Sequence, residues 1–292
     1  MSNRHVGVLG ARSLVGECLL PALLAAGWKV KAFSRQPMAS DRRDIEWRRL
    51  PANDPDADCR IEHWIALAPI WLLPSFFPLL GRYGARRIVA LSSTSRFVKI
   101  ESADAREREL AALLADGEQH LQGWAESTGR QWLILRPTLV YGLGRDKNIS
   151  EMARFIWRFG FFPLFAGGRG LRQPVHANDV ARACATVVSA TSPTNGAYNL
   201  SGAGTLTYRE MVISIFKALG KRPRLIPMPL WGGALAMSLL RMHPKYRHWS
   251  AAMIERMGRD LVFDHDRAAR DFGFAPTAFA LSADDLPATD GN

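Results

Sequence analysis

The stretch that most limits what this chain can fold into runs from Val6 to Gly16, Val-Gly-Val-Leu-Gly-Ala-Arg-Ser-Leu-Val-Gly. A short apolar run enters a turn with small residues at Gly10, Ser13 and Gly16. Leu14, Val15, Cys18, Leu19 and Leu23 then leave it at helical spacing. The pattern predicts a strand, a tight turn and a helix. Such a turn brings backbone N–H groups and a helix N-terminus against a pyrophosphate, where unpaired donors and the helix dipole both favour negative charge. In the spacing G-x-x-G-x-x-G the middle glycine admits close backbone approach; here Ser13 stands there, small and with a hydroxyl that can donate to a phosphate oxygen. The expected ligand is a dinucleotide. A plain strand-turn-helix corner without ligand is the competing reading.

The chain beyond this turn alternates strand and helix. Trp28 to Ser34, Ile45 to Leu50, Ile61 to Leu67, Arg87 to Leu91 and Trp132 to Leu135 read as further strands. Ile70 to Leu80 reads as a helix kinked or broken by Pro74 and Pro78, and Asp104 to Thr128 as a long one with Leu110, Leu113, Leu114, Leu121 and Trp124 on one face. This rhythm predicts an α/β fold, a doubly wound Rossmann-type parallel sheet, with a dinucleotide-binding domain over residues 1–150. Residues 151–292 form mainly a smaller C-terminal substrate lobe, some segments of which return to the sheet. In such sheets ligands lie beyond the carboxyl ends of the strands. The residues there are therefore candidate cofactor contacts: Gly10, Arg12, Ser13, Leu14, Val15, Gly16, Ser34, Arg35, Ala68, Pro69, Ser92, Ser93, Pro137 and Thr138.

The second strand carries information about the cofactor. An NAD site places an acidic side chain near its end for the ribose hydroxyls, and no acid occurs between Glu17 and Asp41. Arg35 follows the strand and Arg12 sits in the turn, so NADP is expected in preference to NAD. The alternative is that both arginines simply face solvent.

Composition narrows the partners. A 48% hydrophobic content supports a full core, and Cys18, Cys59 and Cys184 are too far apart to read as a disulfide framework or a metal site. A cytoplasmic protein is expected. The net charge of +11 comes from arginines scattered along the chain, without a nucleic-acid-binding motif. Leu225 to Leu240 is uncharged, broken by Pro227, Pro229, Gly232 and Gly233, and followed by Arg241, Lys245 and Arg247. It reads as a helix covering a substrate cleft, or alternatively as a peripheral membrane contact. The aromatic run from Met152 to Phe165 exceeds one helix face, which points to a pocket or partner surface beside the core. From Ser282 the acidic end is expected to be loose.

In order and spacing, the chain resembles the extended short-chain dehydrogenase/reductases of the NAD-dependent epimerase/dehydratase branch. The resemblance rests on the glycine turn, on Ser92-Ser93-Thr94, on Leu135-Arg136-Pro137 with Val140-Tyr141-Gly142, and on Pro174-Val175-His176-Ala177-Asn178-Asp179-Val180-Ala181. It continues in Ala197-Tyr198-Asn199-Leu200 and Leu206-Thr207-Tyr208-Arg209-Glu210-Met211. It implies a serine or threonine that holds the substrate oxygen, and Thr94 matches. It also implies a Tyr-x-x-x-Lys pair on the next helix, with the tyrosine near Leu113 or Leu114 and the lysine near Gly117 or Glu118. No tyrosine in this chain has a lysine four residues later. The match is therefore to atypical members that lack the dyad, and Leu139 replaces the asparagine common in sugar-nucleotide enzymes.

Thr94 with Tyr141 or Lys99 is the replacement acid/base set expected here; His176 is expected to be structural. An NADP-dependent oxidoreductase or isomerase acting on a rather apolar small molecule is the leading reading. A non-catalytic NADPH-binding scaffold, like the accessory subunit of respiratory complex I, and an NmrA-like redox sensor are the alternatives. A homodimer through the helix at 104–128 is what the family implies about association.

Overall fold

Each apolar run bounded by a turn becomes a strand ending on one common edge. In the computed structural model, which describes residues 4–36, 38, 44–50, 60–192, 195–229 and 255–288, the first half contains β1 (His5–Leu9), α1 (Leu14–Ala25), β2 (Lys29–Ser34), β3 (Ile45–Arg49) and β4 (His63–Ala66). A 3-10 stretch, Ile70–Phe76, runs into α2 (Phe77–Arg82), so the prolines do break this segment. β5 (Arg87–Leu91), α3 (Ser95–Val98), α4 (Ala105–Ser127), β6 (Gln131–Pro137) and β7 (Val140–Tyr141) follow. The second half holds α5 (Ile149–Phe159), β8 (Phe162–Phe165), β9 (Leu171–Arg172), β10 (Val175–His176), α6 (Ala177–Ser189), β11 (Gly196–Leu200), β12 (Leu206–Thr207), α7 (Tyr208–Ala218) and β13 (Leu225–Met228). A short helix at Asp266–Phe272 comes last among the longer elements.

Seven strands form one parallel sheet in the order β11-β6-β5-β4-β1-β2-β3. Chain order reverses between β4 and β1, which opens a crevice at their carboxyl ends. One face is covered by α1 and α6, packed around Val8, Leu19, Leu23, Val180 and Val187. The other is covered by α4 and the 3-10 stretch, around Trp64, Ile70, Leu80, Leu114 and Leu121. Residues 177–200 thus return to the sheet after the chain has entered the second lobe.

That lobe has its own core, in which α5 and α7 bury Phe155, Ile156, Phe162, Val212 and Phe216. Thr207 and Glu210 form a capping box at the start of α7. Two expectations change here. Leu225–Met228 is a strand beside β8 and not the start of a helix, because the prolines at 227 and 229 leave a strand edge available but no helical turn. The rest of the uncharged run, from residue 230, lies outside the described residues. As far as residue 288 the acidic end is also held in place. Asp285 caps Ser282 and meets His176 Nε2 at 2.9 Å. No helix of the described residues is long and apolar enough to cross a membrane.

Candidate functional site

The turn after β1 is shaped by two glycines that nothing larger can replace. Gly10 has φ +81° and lies so close to the strand end at Leu67–Ala68 that an added Cβ would come 2.6 Å from the Ala68 nitrogen. At Gly16 the added Cβ would be 2.2 Å from the Ala11 carbonyl oxygen. The helix can therefore start directly against the turn. Ser13 is its N-cap, accepting from the Gly16 N–H at 3.1 Å. Among the described residues the N–H groups of Leu14 and Val15 have no acceptor, as the first turn of a helix leaves them.

Above this turn lies a cleft of about 600 Å³, bounded by the ends of β1, β2 and β4. Gly10, Arg12, Ser13, Ser34, Arg35, Ala68 and Pro69 line it, all expected from sequence. Leu9, Ala11, Phe33, Gln36, Leu50, Leu67, Leu72 and Phe76 complete it. Among the described residues no carboxylate lines the cleft. Arg12 donates to Gln36, whose own N–H is fixed by Ser34 Oγ at 3.2 Å. Leu14, Val15 and Gly16 lie behind the turn and contribute only backbone.

A second cavity of about 360 Å³ sits over the ends of β5 and β6. Ser93, Thr94, Lys99 and Thr138 line it, with Asn148 from the loop before α5 and Arg172, Gln173, Arg256, Leu261 and Phe263 from later in the chain. Thr94 is buried and its hydroxyl donates to the Pro137 carbonyl at 3.3 Å. Ser93 Oγ accepts from the Ser95 N–H at 3.1 Å, leaving its own proton without an acceptor among the described residues. Lys99 Nζ is 3.8 Å from Glu107. Burial lowers its pKa from the ordinary lysine value, while Glu107 opposes the shift.

Tyr141 is not brought to this cavity. It is 1% exposed in the second lobe's core, edge-on to His176 and Phe279, and its hydroxyl donates to the Ala280 carbonyl at 3.3 Å. Burial pushes its pKa up to about 12. Neighbouring Val140 faces the cavity instead, as strand alternation requires. His176 is occupied on both ring nitrogens, Nδ1 accepting from the Asn178 N–H at 3.1 Å and Nε2 facing Asp285.

On α4, the positions considered for the dyad hold no tyrosine or lysine. Leu113 is exposed, not part of the buried face, and Leu114 is packed. Gly117 lies against the Ile70 and Trp71 backbone. Glu118, 3% exposed, accepts from Ser92 Oγ at 2.5 Å and from Arg136 Nε at 3.0 Å, and also pairs with Arg96. Ser92 is thus tied to the helix and lines neither cavity. Pro137 lines neither cavity and lends its carbonyl to Thr94. The aromatic run after Met152 divides: Phe155, Phe162 and Phe165 are core, Trp157 and Phe159 are exposed, and none reaches the cavity.

The sequence did not single out Arg172, Gln173, Arg256, Leu261 and Phe263. Their only local signal is an arginine or apolar residue in a loop, because their partners are far away in the chain. No group of three or more potential metal ligands occurs among the described residues.

Comparison with known proteins places this geometry. The model of the NAD dependent epimerase/dehydratase family matches residues 80–201. "Uncharacterized protein y4nG" of Sinorhizobium fredii is 24% identical over 92% of this chain and 74% of its own length. A ceramide reductase of Caulobacter vibrioides is 26% identical over 79% of this chain and 76% of that protein. The mitochondrial NADH dehydrogenase [ubiquinone] 1 alpha subcomplex subunit 9 of Arabidopsis thaliana is 29% identical, over 44% of this chain and 31% of that protein. Among solved structures, UDP-glucuronic acid 4-epimerase from Bacillus cereus in complex with NAD superposes with a TM-score of 0.68 at 13% identity, covering 96% of this chain and 95% of that one. The fold is that of this epimerase, and residues 80–201 are similar to the NAD dependent epimerase/dehydratase family.

Proposed function

From a chain with this fold and this family segment, we propose an NADP-dependent oxidoreductase or isomerase that works without the Tyr-x-x-x-Lys dyad on a small-molecule substrate. The observation that carries the reading is the continuity of the strand-end edge. A cleft with Arg12 and Arg35, and no carboxylate among the described residues that line it, leads along the sheet to a cavity holding Ser93, Thr94 and Lys99. The fit of a dinucleotide rests on the Gly10–Gly16 turn, where backbone and helix start approach without any intervening side chain. The solved relative binds NAD; the two arginines and the missing carboxylate argue for a 2′-phosphate here.

When bound, the nicotinamide supplies or accepts a hydride. Leu14 and Val15 amides would hold the pyrophosphate, and Arg12 and Arg35 the 2′-phosphate. In the cavity, Ser93 or Thr94 orients a substrate carbonyl oxygen, and Lys99 is the proton donor, its ammonium made more acidic by burial. Titrating the purified protein with NADPH, NADP, NADH and NAD by tryptophan quenching tests the cofactor assignment. Phosphorylated forms binding at least tenfold tighter is the expected result; equal binding of all four overturns the NADP reading. For the acid, reduction requires protonated Lys99, so turnover should fall as pH rises through a pKa below the ordinary lysine value. A Lys99→Met variant that retains that limb would remove Lys99 from the mechanism.

A non-catalytic NADPH-binding scaffold is the second reading. It is favoured by the absence of a tyrosine at the examined α4 positions and by similarity to the plant NADH dehydrogenase subunit. Tight cofactor binding with no hydride exchange across a panel of carbonyl compounds would favour it.

A further inference from the structure

The second cavity carries more positive charge than the acid/base role of Lys99 uses. Among the described residues three cations, Lys99, Arg172 and Arg256, line it, and no carboxylate does. Glu107, which pairs with both Lys99 and Arg256, stands behind them on α4 and is not part of the wall. Arg172 is buried against backbone. Its guanidinium donates to the carbonyls of Leu171 at 2.7 Å, Arg259 at 2.8 Å and Arg256 at 2.5 Å, with burial lowering its pKa to about 10. Carbonyl dipoles solvate that charge without cancelling it. Glu107, with Asp104 and Asp260 acting less strongly, serves these cations from behind the wall, so the charge that faces the cavity itself is positive.

The rest of the wall is apolar. Val98, Leu139, Val140, Leu261 and Phe263 line the inside. Phe97 meets Phe263 with ring centroids 6.1 Å apart, joining α3 to the 261–263 segment. Phe97, Ile100 and Val262 are exposed beside it, Ile100 by 63%. Such side chains in water mark a surface that apolar ligand covers.

Building on the proposed oxidoreductase reading, we propose that the substrate is an amphipathic acid. Its anionic group lies against Arg256, leaving Lys99 to the carbonyl oxygen, and its alkyl chain runs over Leu261 and Phe263 and out along Phe97 and Val262. A nucleotide sugar has the charge but offers nothing to this apolar exit.

Decanoate, decanamide, butanoate and UDP-glucose, titrated calorimetrically into NADP-saturated protein, test the assignment. Decanoate is expected to bind at least tenfold tighter than decanamide and at least tenfold tighter than butanoate, with no UDP-glucose binding. Equal binding of decanoate and decanamide, or of decanoate and butanoate, overturns the proposal, as does binding of UDP-glucose alone. Phe97→Ala, a change at an exposed side chain, should weaken decanoate severalfold and leave butanoate unchanged. Arg256→Gln should remove the preference of acid over amide. A protein that fails to bind NADP yet still prefers decanoate over decanamide would overturn the cofactor reading while supporting this one.

Discussion

The two cavities along the sheet edge are built in opposite ways. The cleft proposed for the cofactor is made mainly from short, contiguous pieces, Leu9–Ser13, Phe33–Gln36 and Leu67–Pro69, each at the end of a strand, and its glycine turn is shaped by close backbone approaches. The cavity proposed for the substrate draws on segments far apart in the chain, around 93–99, 138–140, 172–173 and 256–263. Backbone shape survives variation in side chains, whereas a side-chain wall changes with every substitution. One region keeps its ligand while the other is free to change its own.

That contrast can be broken from either side. The largest effect is expected at Glu118, whose buried carboxylate neutralises Arg96 and Arg136 beneath the cavity. Glu118→Gln leaves two partly buried guanidinium groups facing a neutral amide, and thermal or urea unfolding should show a loss of about 3 kcal/mol. Gly16→Ala comes next. Its Cβ has no room beside the Ala11 carbonyl, so α1 must shift away from the turn at a cost of about 2 kcal/mol. Dinucleotide binding should fall more than stability, which a paired titration and melt would separate.

Replacing Arg12 and Arg35 together with alanine should cost about tenfold in NADP affinity, ~1.4 kcal/mol, and leave NAD unchanged. An equal loss for both cofactors would place the arginines on the pyrophosphate. The smallest effect is expected for Tyr141→Phe, which deletes one hydrogen bond to the Ala280 carbonyl. A loss of about 1 kcal/mol in stability should come with unchanged cofactor affinity and turnover. A large loss in turnover would return Tyr141 to the acid/base set.

The same contrast explains what could be read from the sequence. β5 is found at Arg87–Leu91, as the apolar run predicts, and α4 is bounded by Asp104 and Thr128, which cap it. The cleft was legible for the same reason, since its residues follow directly on strand ends. Thr94 and Lys99 were legible as neighbours after β5. Tyr141 was misleading because it also follows a strand. Only the alternation of the short β7 against β10 decides that Val140 faces the cavity and Tyr141 the core. Leu113 fits a helical apolar face on paper, but α4 turns Ala111, Leu114, Glu118 and Leu121 inward. Glu118 reads as a surface charge until Arg96 and Arg136 are seen beside it. Arg172 and Arg256 could not be paired from sequence at all, since their meeting depends on the path of the second lobe.

The packing of α1 against α6 also sets an order of events. The Trp28 indole donates to Ser189 Oγ at 3.3 Å across 161 residues, and Val180, Val187, Ala268 and Phe274 share the core that holds Leu19 and Leu23. The helix that leaves the glycine turn is therefore covered by segments made more than 150 residues after it. Until residue 189 has left the ribosome, the apolar side of α1 has no cover, and so many distant contacts slow its burial. Cells making this protein quickly should find it in inclusion bodies before they find it inactive, and slower synthesis or more chaperone should recover it.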